Sequence, residues 1–181
     1  GATRPDEMRL LSEDIAPEIV DTLIQAVSEN NKISQDYYKL KAKAFGQDKL
    51  AYNERNVPYG KVEKKYSFED SVSLVHKVLN NLDPEFAQIF ERMIENGQVD
   101  AYPSKGKRGG AFCAYYVPSL PTFVFLNHTD KLSDVLTIAH EFGHAINGEM
   151  MKQKENSLNY DTPMATAEVA STFMEDFVLE E

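Results

Sequence analysis

TIAHEFGHAIN, residues 137–147, carries two of the chain's four histidines, His140 and His144, with Glu141 directly after the first. At about 100° per residue, a helix sets those histidines within roughly 40° of each other, so both imidazoles can reach one ion. Glu141 falls beside them, displaced by about a quarter turn. Val135, Ile138, Ala139, Phe142, Ala145, Ile146 and Met150 form a separate apolar stripe roughly opposite the histidines. The helix is therefore expected to dock by that stripe and to present His140, Glu141 and His144 away from it. The plain alternative is a solvated His/Glu face, because short motifs also recur by chance.

A catalytic zinc takes three protein ligands and leaves its fourth position to water. Continuing the motif along the same helix fails, since Asn147 and Met150 stand where Gly and a third His would be needed. Glu149 lies on the far side of the helix, and Glu155 falls in a polar loop. Glu168 is the better candidate. Its segment has an apolar stripe of Ala167, Ala170, Phe173, Met174, Phe177 and Val178, with Glu168, Thr172 and Glu175 opposite. Two consecutive helices that dock by such stripes can bring one carboxylate to two imidazoles. A solvent-facing glutamate is the ordinary alternative.

Outward from these helices, the pattern is helical, then briefly extended, then helical again. Residues 16–46 have helical spacing, with Gly46 as a stop and NNKIS (30–34) as either a break or a continuation. Residues 47–66 read as a polar loop. SFED (67–70) opens a helix to about Asn81, and DPEFAQIFERMIENG (83–97) states a complete one, with an Asp cap, Pro at the first position and Gly past the end. QVDAYP (98–103), GGAFCAYYV (109–117) and PTFVFLN (121–127) read as short strands, the last two joined by a connection that suits an antiparallel pair. Helices are then expected from about Lys131 to Met151 and from about Ala165 onward. The expected fold is mostly α with a small antiparallel β-element: helical 1–97, a small sheet over 98–127, and the histidine and glutamate helices over 130–181.

Composition excludes several functions. The 181 residues are 42% hydrophobic and 27% charged, as in ordinary globular domains. A net charge of −10 argues against a nucleic-acid partner. No apolar run approaches the ~20 residues of a membrane span, so no membrane partner is expected. One cysteine, Cys113, rules out an internal disulfide framework and suits a reducing, cytoplasmic setting. The chain opens without Met and closes inside a helical pattern, so it is expected to be a piece of a longer protein.

With HEFGH (140–144) and TAEVASTFMEDFV (166–178) in order, the sequence resembles the M3 zinc metallopeptidases, specifically the oligoendopeptidase F branch. GKRGGAF (106–112), PTFVFLN (121–127), DVLTIAHEFGHA (134–145) and YYKLKAKAFG (37–46) extend the resemblance over nearly the whole chain. It implies a zincin-like HExxH helix plus a Glu-bearing helix within a larger helical metallopeptidase domain, cutting short peptides in a deep channel. Residue by residue, it implies His140, His144 and Glu168 as ligands of one Zn2+ per chain and Glu141 as general base. Family members continue well past the position of Glu181 and there supply a His and a Tyr that support the oxyanion. The missing C-terminal part of the same protein is thus an expected partner, and this piece alone is expected to have little activity. The reading from another class is a helical metal-binding or assembly domain without catalysis.

Three further expectations concern neighbours of the motif. Glu175, two turns after Glu168, is a candidate acceptor for a ligand imidazole, against a solvated charge. Gly109, Gly110 and Ala111 lead into a strand and are candidates for pairing with a substrate backbone, with Lys107 and Arg108 near a substrate carboxylate; the alternative is an exposed basic turn. Gly143 costs about 1 kcal/mol relative to Ala in a helix interior, which a close helix crossing would explain. His128 is expected in a loop or capping role, His76 in a structural one, and Cys113 as a buried thiol.

Overall fold

Local sequence chemistry marks several helix ends of the computed structural model, which describes residues 4–60 and 64–181. Residues 1–3, and the 61–63 part of the expected loop, lie outside the described residues. Two compact units divide the chain between Glu63 and Lys64.

The first unit holds α1 (Glu7–Ser12), α2 (Pro17–Glu29), α3 (Asn31–Ala44) and a 3-10 turn at Tyr52–Glu54. The chain breaks at Asn30, which resolves the ambiguity at NNKIS in favour of two helices. Gly46 adopts φ +71°, the left-handed stop that a Cβ would disfavour. Helix α1 has no counterpart in the sequence reading; Arg4 ties its start to α2 by bonding Asp6 at 2.6 Å and Asp21 at 2.8 Å.

The second unit carries α4 (Phe68–Leu82), α5 (Pro84–Glu95), β1 (Val99–Asp100), β2 (Phe112–Ala114), β3 (Phe123–Phe125), α6 (Leu132–Lys152) and α7 (Met164–Glu180). Ser67 caps α4 by accepting the Asp70 N–H at 3.1 Å, and Asp83 caps α5 by accepting the Glu85 N–H at 2.8 Å. Helix α6 is the centre of the core. Its Val135, Ile138, Ala139, Phe142, Ala145 and Ile146 are buried against Val75, Leu79, Phe90 and Met93 of α4 and α5 and against Val124 of β3. The Phe90 and Phe142 rings meet edge to face, 4.3 Å between centroids. At about 1.5–3 kcal/mol for each large apolar side chain removed from water, this stripe fixes the rotation of α6 about its axis. The face that carries the histidines is therefore fixed as well.

Two expectations are corrected. The sheet is mixed, in the order β1-β3-β2: β2 and β3 pair antiparallel, as the short connection predicts, but β1 runs parallel to β3. The β1 pairing joins segments far apart in the chain, Val124 N–H to Gln98 carbonyl and Leu126 N–H to Asp100 carbonyl, so no turn signal announces it. On α7, the docking face is Ala167, Ala170, Ser171, Met174 and Val178, whereas Phe173 and Phe177 are exposed. The expected stripe extends to the phenylalanines because the apolar residues of this helix spread well beyond its contact face, and close approach to α6 selects its small residues instead.

Candidate metal centre

Helices α6 and α7 cross where Gly143 faces the α7 backbone. A Cβ at Gly143 would stand 2.5 Å from Ser171 Cα and 2.6 Å from the Ala170 carbonyl oxygen. The absence of a side chain there is what lets the two helices approach, as the helix-interior glycine led us to expect. Glu168 lies on α7 just before this contact, and His140 and His144 flank it on α6.

His140, His144 and Glu168 form a group of potential ligands among the described residues, their ligand atoms all within 4.8 Å of one another. Glu168 Oε2 is 3.3 Å from His140 Nε2 and 3.4 Å from His144 Nε2. These separations are long for N–H···O hydrogen bonds. They match the edge of a tetrahedron around zinc, about 3.3 Å for metal–ligand bonds of ~2.0–2.1 Å. Two imidazole nitrogens and one carboxylate oxygen are also a donor set that zinc accepts. The residues fit the ion that the resemblance implies.

Each ligand candidate has a supporting contact. His140 Nδ1 donates to Glu175 Oε2 at 3.0 Å, which holds Nε2 toward Glu168. Burial lowers the pKa of His144, against the opposing pull of Glu168 and the Ala167 carbonyl, so the neutral ring needed for ligation is favoured. The buried Ser171 hydroxyl donates to Glu168 Oε2 at 2.7 Å and, with the two imidazoles, holds that carboxyl below its ordinary range despite desolvation. Sequence reading missed Ser171, although its position one turn after Glu168 is a recognisable signal.

Glu141 is only 7% exposed and sits under β2. Desolvation raises its pKa, as does the Glu168 charge, while His140 and the Cys113 main-chain N–H favour the ionised form. Cys113 is itself half-buried, and its thiol is pushed up to about 12 by burial and by Glu141 and Glu149. Of the other acids considered, Glu149 is engaged with Thr122 and Lys152 at 2.7 and 2.5 Å, and Glu155 is exposed in the turn after α6.

The glycine segment leads into β2, an edge strand of the sheet. Asn127 Nδ2 donates to the carbonyls of Arg108 and Gly110 at 2.9 and 2.8 Å and so shapes the run Gly109, Gly110, Ala111. Gly110 has φ +87°, a conformation that suits glycine. Lys107 is not available to a substrate carboxylate: its side chain is 6% exposed and bonds Asp100 Oδ1 at 2.9 Å and the Tyr102 carbonyl at 2.7 Å. Arg108 packs over the Phe112 ring. His76 lies half-buried on α4 near Phe90, and His128 is buried in the loop before α6.

The sequence profile of peptidase family M3 matches residues 6–181. The oligoendopeptidase F homolog of Borreliella burgdorferi is 32% identical over 176 residues, which is 96% of this chain and 30% of that protein. Oligopeptidase PepF of Bacillus subtilis is 27% identical over 167 residues, covering 92% of this chain and 25% of that protein. A Bacillus anthracis structure described as a candidate oligoendopeptidase F superposes with a TM-score of 0.81 at 26% identity, over 92% of this chain and 31% of that one. The chain thus spans only 25–30% of the length of these curated relatives. Among the described residues, no helix is long and apolar enough to cross a membrane.

Proposed function

The chain belongs to peptidase family M3, and from that premise we propose that it carries the zinc ligands and general base of an oligoendopeptidase F-type endopeptidase acting on short peptides. The observation that carries this reading is the convergence of His140, His144 and Glu168 within 4.8 Å, with Glu168 at tetrahedral-edge separations from both histidines, beside a buried Glu141. Zinc bound by these three residues would acidify a water and polarise the scissile carbonyl. Glu141 would accept that water's proton and hand it to the leaving amine; its raised pKa brings it closer to the range where a base also serves as an acid. Glu175 would keep His140 in the tautomer that offers Nε2, and Ser171 would orient Glu168. Gly109, Gly110 and Ala111, leading into the edge strand, would pair with the extended substrate backbone. The 181 residues would be part of one catalytic domain, and the rest of that protein would complete the channel and the oxyanion support.

Elemental analysis of protein purified without added metal or chelator tests the ligand set. About one zinc per chain, lost in Glu168→Ala, is expected; equal zinc in the variant refutes it. Glu141→Gln in the full-length protein then separates enzyme from metal-binding module. The variant is expected to keep its zinc and to lose at least a hundredfold in peptide hydrolysis. Unchanged hydrolysis would refute the role of Glu141.

A further inference from the structure

The direction of each strand residue's backbone groups follows from the sheet order β1-β3-β2. Val124 and Leu126 send their N–H groups toward β1, so Phe123 and Phe125 turn theirs to β2, where Ala114 and Phe112 stand opposite them. Cys113, between those two, therefore points its N–H and carbonyl to the open edge of β2. Its N–H meets the Glu141 carboxylate there. The open edge thus runs alongside Glu141, and a substrate strand added to it has its reacting bond beside Cys113.

Successive strand side chains point to opposite faces. Cys113 and Val124 pack toward the core. Phe112 and Phe125 stand on the other face, stacked with 4.6 Å between centroids and 15° between ring planes. Phe112 remains 38% exposed, and Phe123, on the same face, 51%. Phe112 gives its backbone groups to Phe125, so a residue opposite it on the open side forms a non-hydrogen-bonded pair. In such pairs the Cα atoms are only about 4.5 Å apart and the side chains touch. The paired substrate side chain shares the face of Phe112 and meets its ring. It is also the chain neighbour of the substrate residue beside Cys113, which sets it within about two residues of the bond being cut. Arg108 holds its guanidinium 5.5 Å from the centroid of the same ring, so a cationic substrate side chain is repelled there and an aromatic one is not.

We propose that Phe112 is a specificity-determining residue, forming with Phe125 an open stacking subsite for an aromatic side chain of the peptide substrate. The inference rests on the peptidase reading above and adds a substrate preference to it. The substrate ring continues the row Phe125–Phe112 by one strand. Phenylalanine is favoured at that position, alanine comes second and lysine last.

The test uses the full-length, zinc-loaded protein and quenched peptides with phenylalanine walked through successive positions. Each is paired with alanine at the same position, and the cleaved bond is mapped by mass spectrometry. Phenylalanine is expected to raise kcat/KM about fivefold over alanine at one position within about two residues of the cleaved bond. In Phe112→Ala that ratio is expected to fall toward one, while the ratios at the other positions stay as in the parent. A merely structural loss would depress every peptide alike and leave the ratio intact. Should Phe112→Ala fail to fold, Phe112→Thr, a residue that strands favour, serves the same readout. A ratio that survives the substitution, or equal kcat/KM at every position, overturns this inference and leaves the peptidase reading standing. No zinc-dependent hydrolysis of any peptide overturns the peptidase reading, and this inference with it.

Discussion

Replacing Gly143 by alanine tests the link between helix packing and the metal centre. On propensity alone the substitution should stabilise α6 by about 1 kcal/mol. The structure predicts the opposite sign. The new Cβ would stand 2.5 Å from Ser171 Cα, 2.6 Å from the Ala170 oxygen and 2.9 Å from the Ala170 carbonyl carbon. All three atoms belong to the α7 backbone, so no rotamer change relieves the clash. Restoring ordinary contact requires α7 to retreat by roughly 1 Å, and overpacking of this kind costs typically 1–3 kcal/mol or more. The net loss, about 1–2 kcal/mol, lowers Tm by several degrees in a unit of this size.

The retreat also carries Glu168 away from His140 and His144, whereas metal–ligand distances tolerate only about 0.2 Å. Zinc affinity, measured by competition with a chromophoric chelator, should fall tenfold or more, the loss expected when ligand orientation is disturbed. Gly148→Ala is the control. Its Cβ meets the Tyr115 ring at 3.0 Å, a side chain that can shift, so zinc affinity there should stay within a few-fold. If Gly143→Ala raises Tm and binds zinc as tightly as the parent, the backbone crossing is not what holds the ligands together.

Two further substitutions probe the surroundings. Ser171→Ala removes the hydroxyl bonded to Glu168 Oε2 at 2.7 Å, and chelator competition should show about tenfold weaker zinc binding; unchanged affinity would make the contact incidental. Glu149 loses solvation on burial, but bonds from Lys152 and Thr122 outweigh that and lower its pKa. A carboxyl whose folded pKa is depressed contributes stability above its unfolded pKa, and that stability is lost as pH falls through the folded value. Glu149→Gln should therefore cost about 2 kcal/mol at pH 7, seen as a lower Tm, with the gap closing in acid well below the ordinary carboxylate range. A gap that persists in acid would assign the loss to packing.

The spacing of His140, Glu141 and His144 made one face of α6 legible, because the apolar stripe opposite it is continuous and large enough to dictate how the helix docks. Gly143 was legible as an anomaly, since a helix interior keeps glycine only for a reason. The parts that escaped are contacts set by the crossing itself. Nothing in sequence spacing places the Ala167 carbonyl against His144, or the Cys113 N–H at Glu141. The orphaned Nδ1 of His128 is likewise invisible until the loop that buries it is folded.

The sheet and α7 show why some elements resist such reading altogether. Beta strands of two or three residues carry no periodicity, and only the β2–β3 pair has a local connection to reveal its direction. For β1 the partner is decided by α5, whose end delivers Gln98 and Asp100 to the free side of β3. Helix α7 fails for a different reason. Val169, Phe173, Phe177 and Leu179 are exposed while Met174 and Val178 are buried, so the apolar residues spread over more than the docking face and do not define its edge. Its rotation here is chosen by what cannot be bulky rather than by what is hydrophobic. Ala170 and Ser171 must meet Gly143, and that requirement turns Glu168 toward the histidines while leaving the phenylalanines outside.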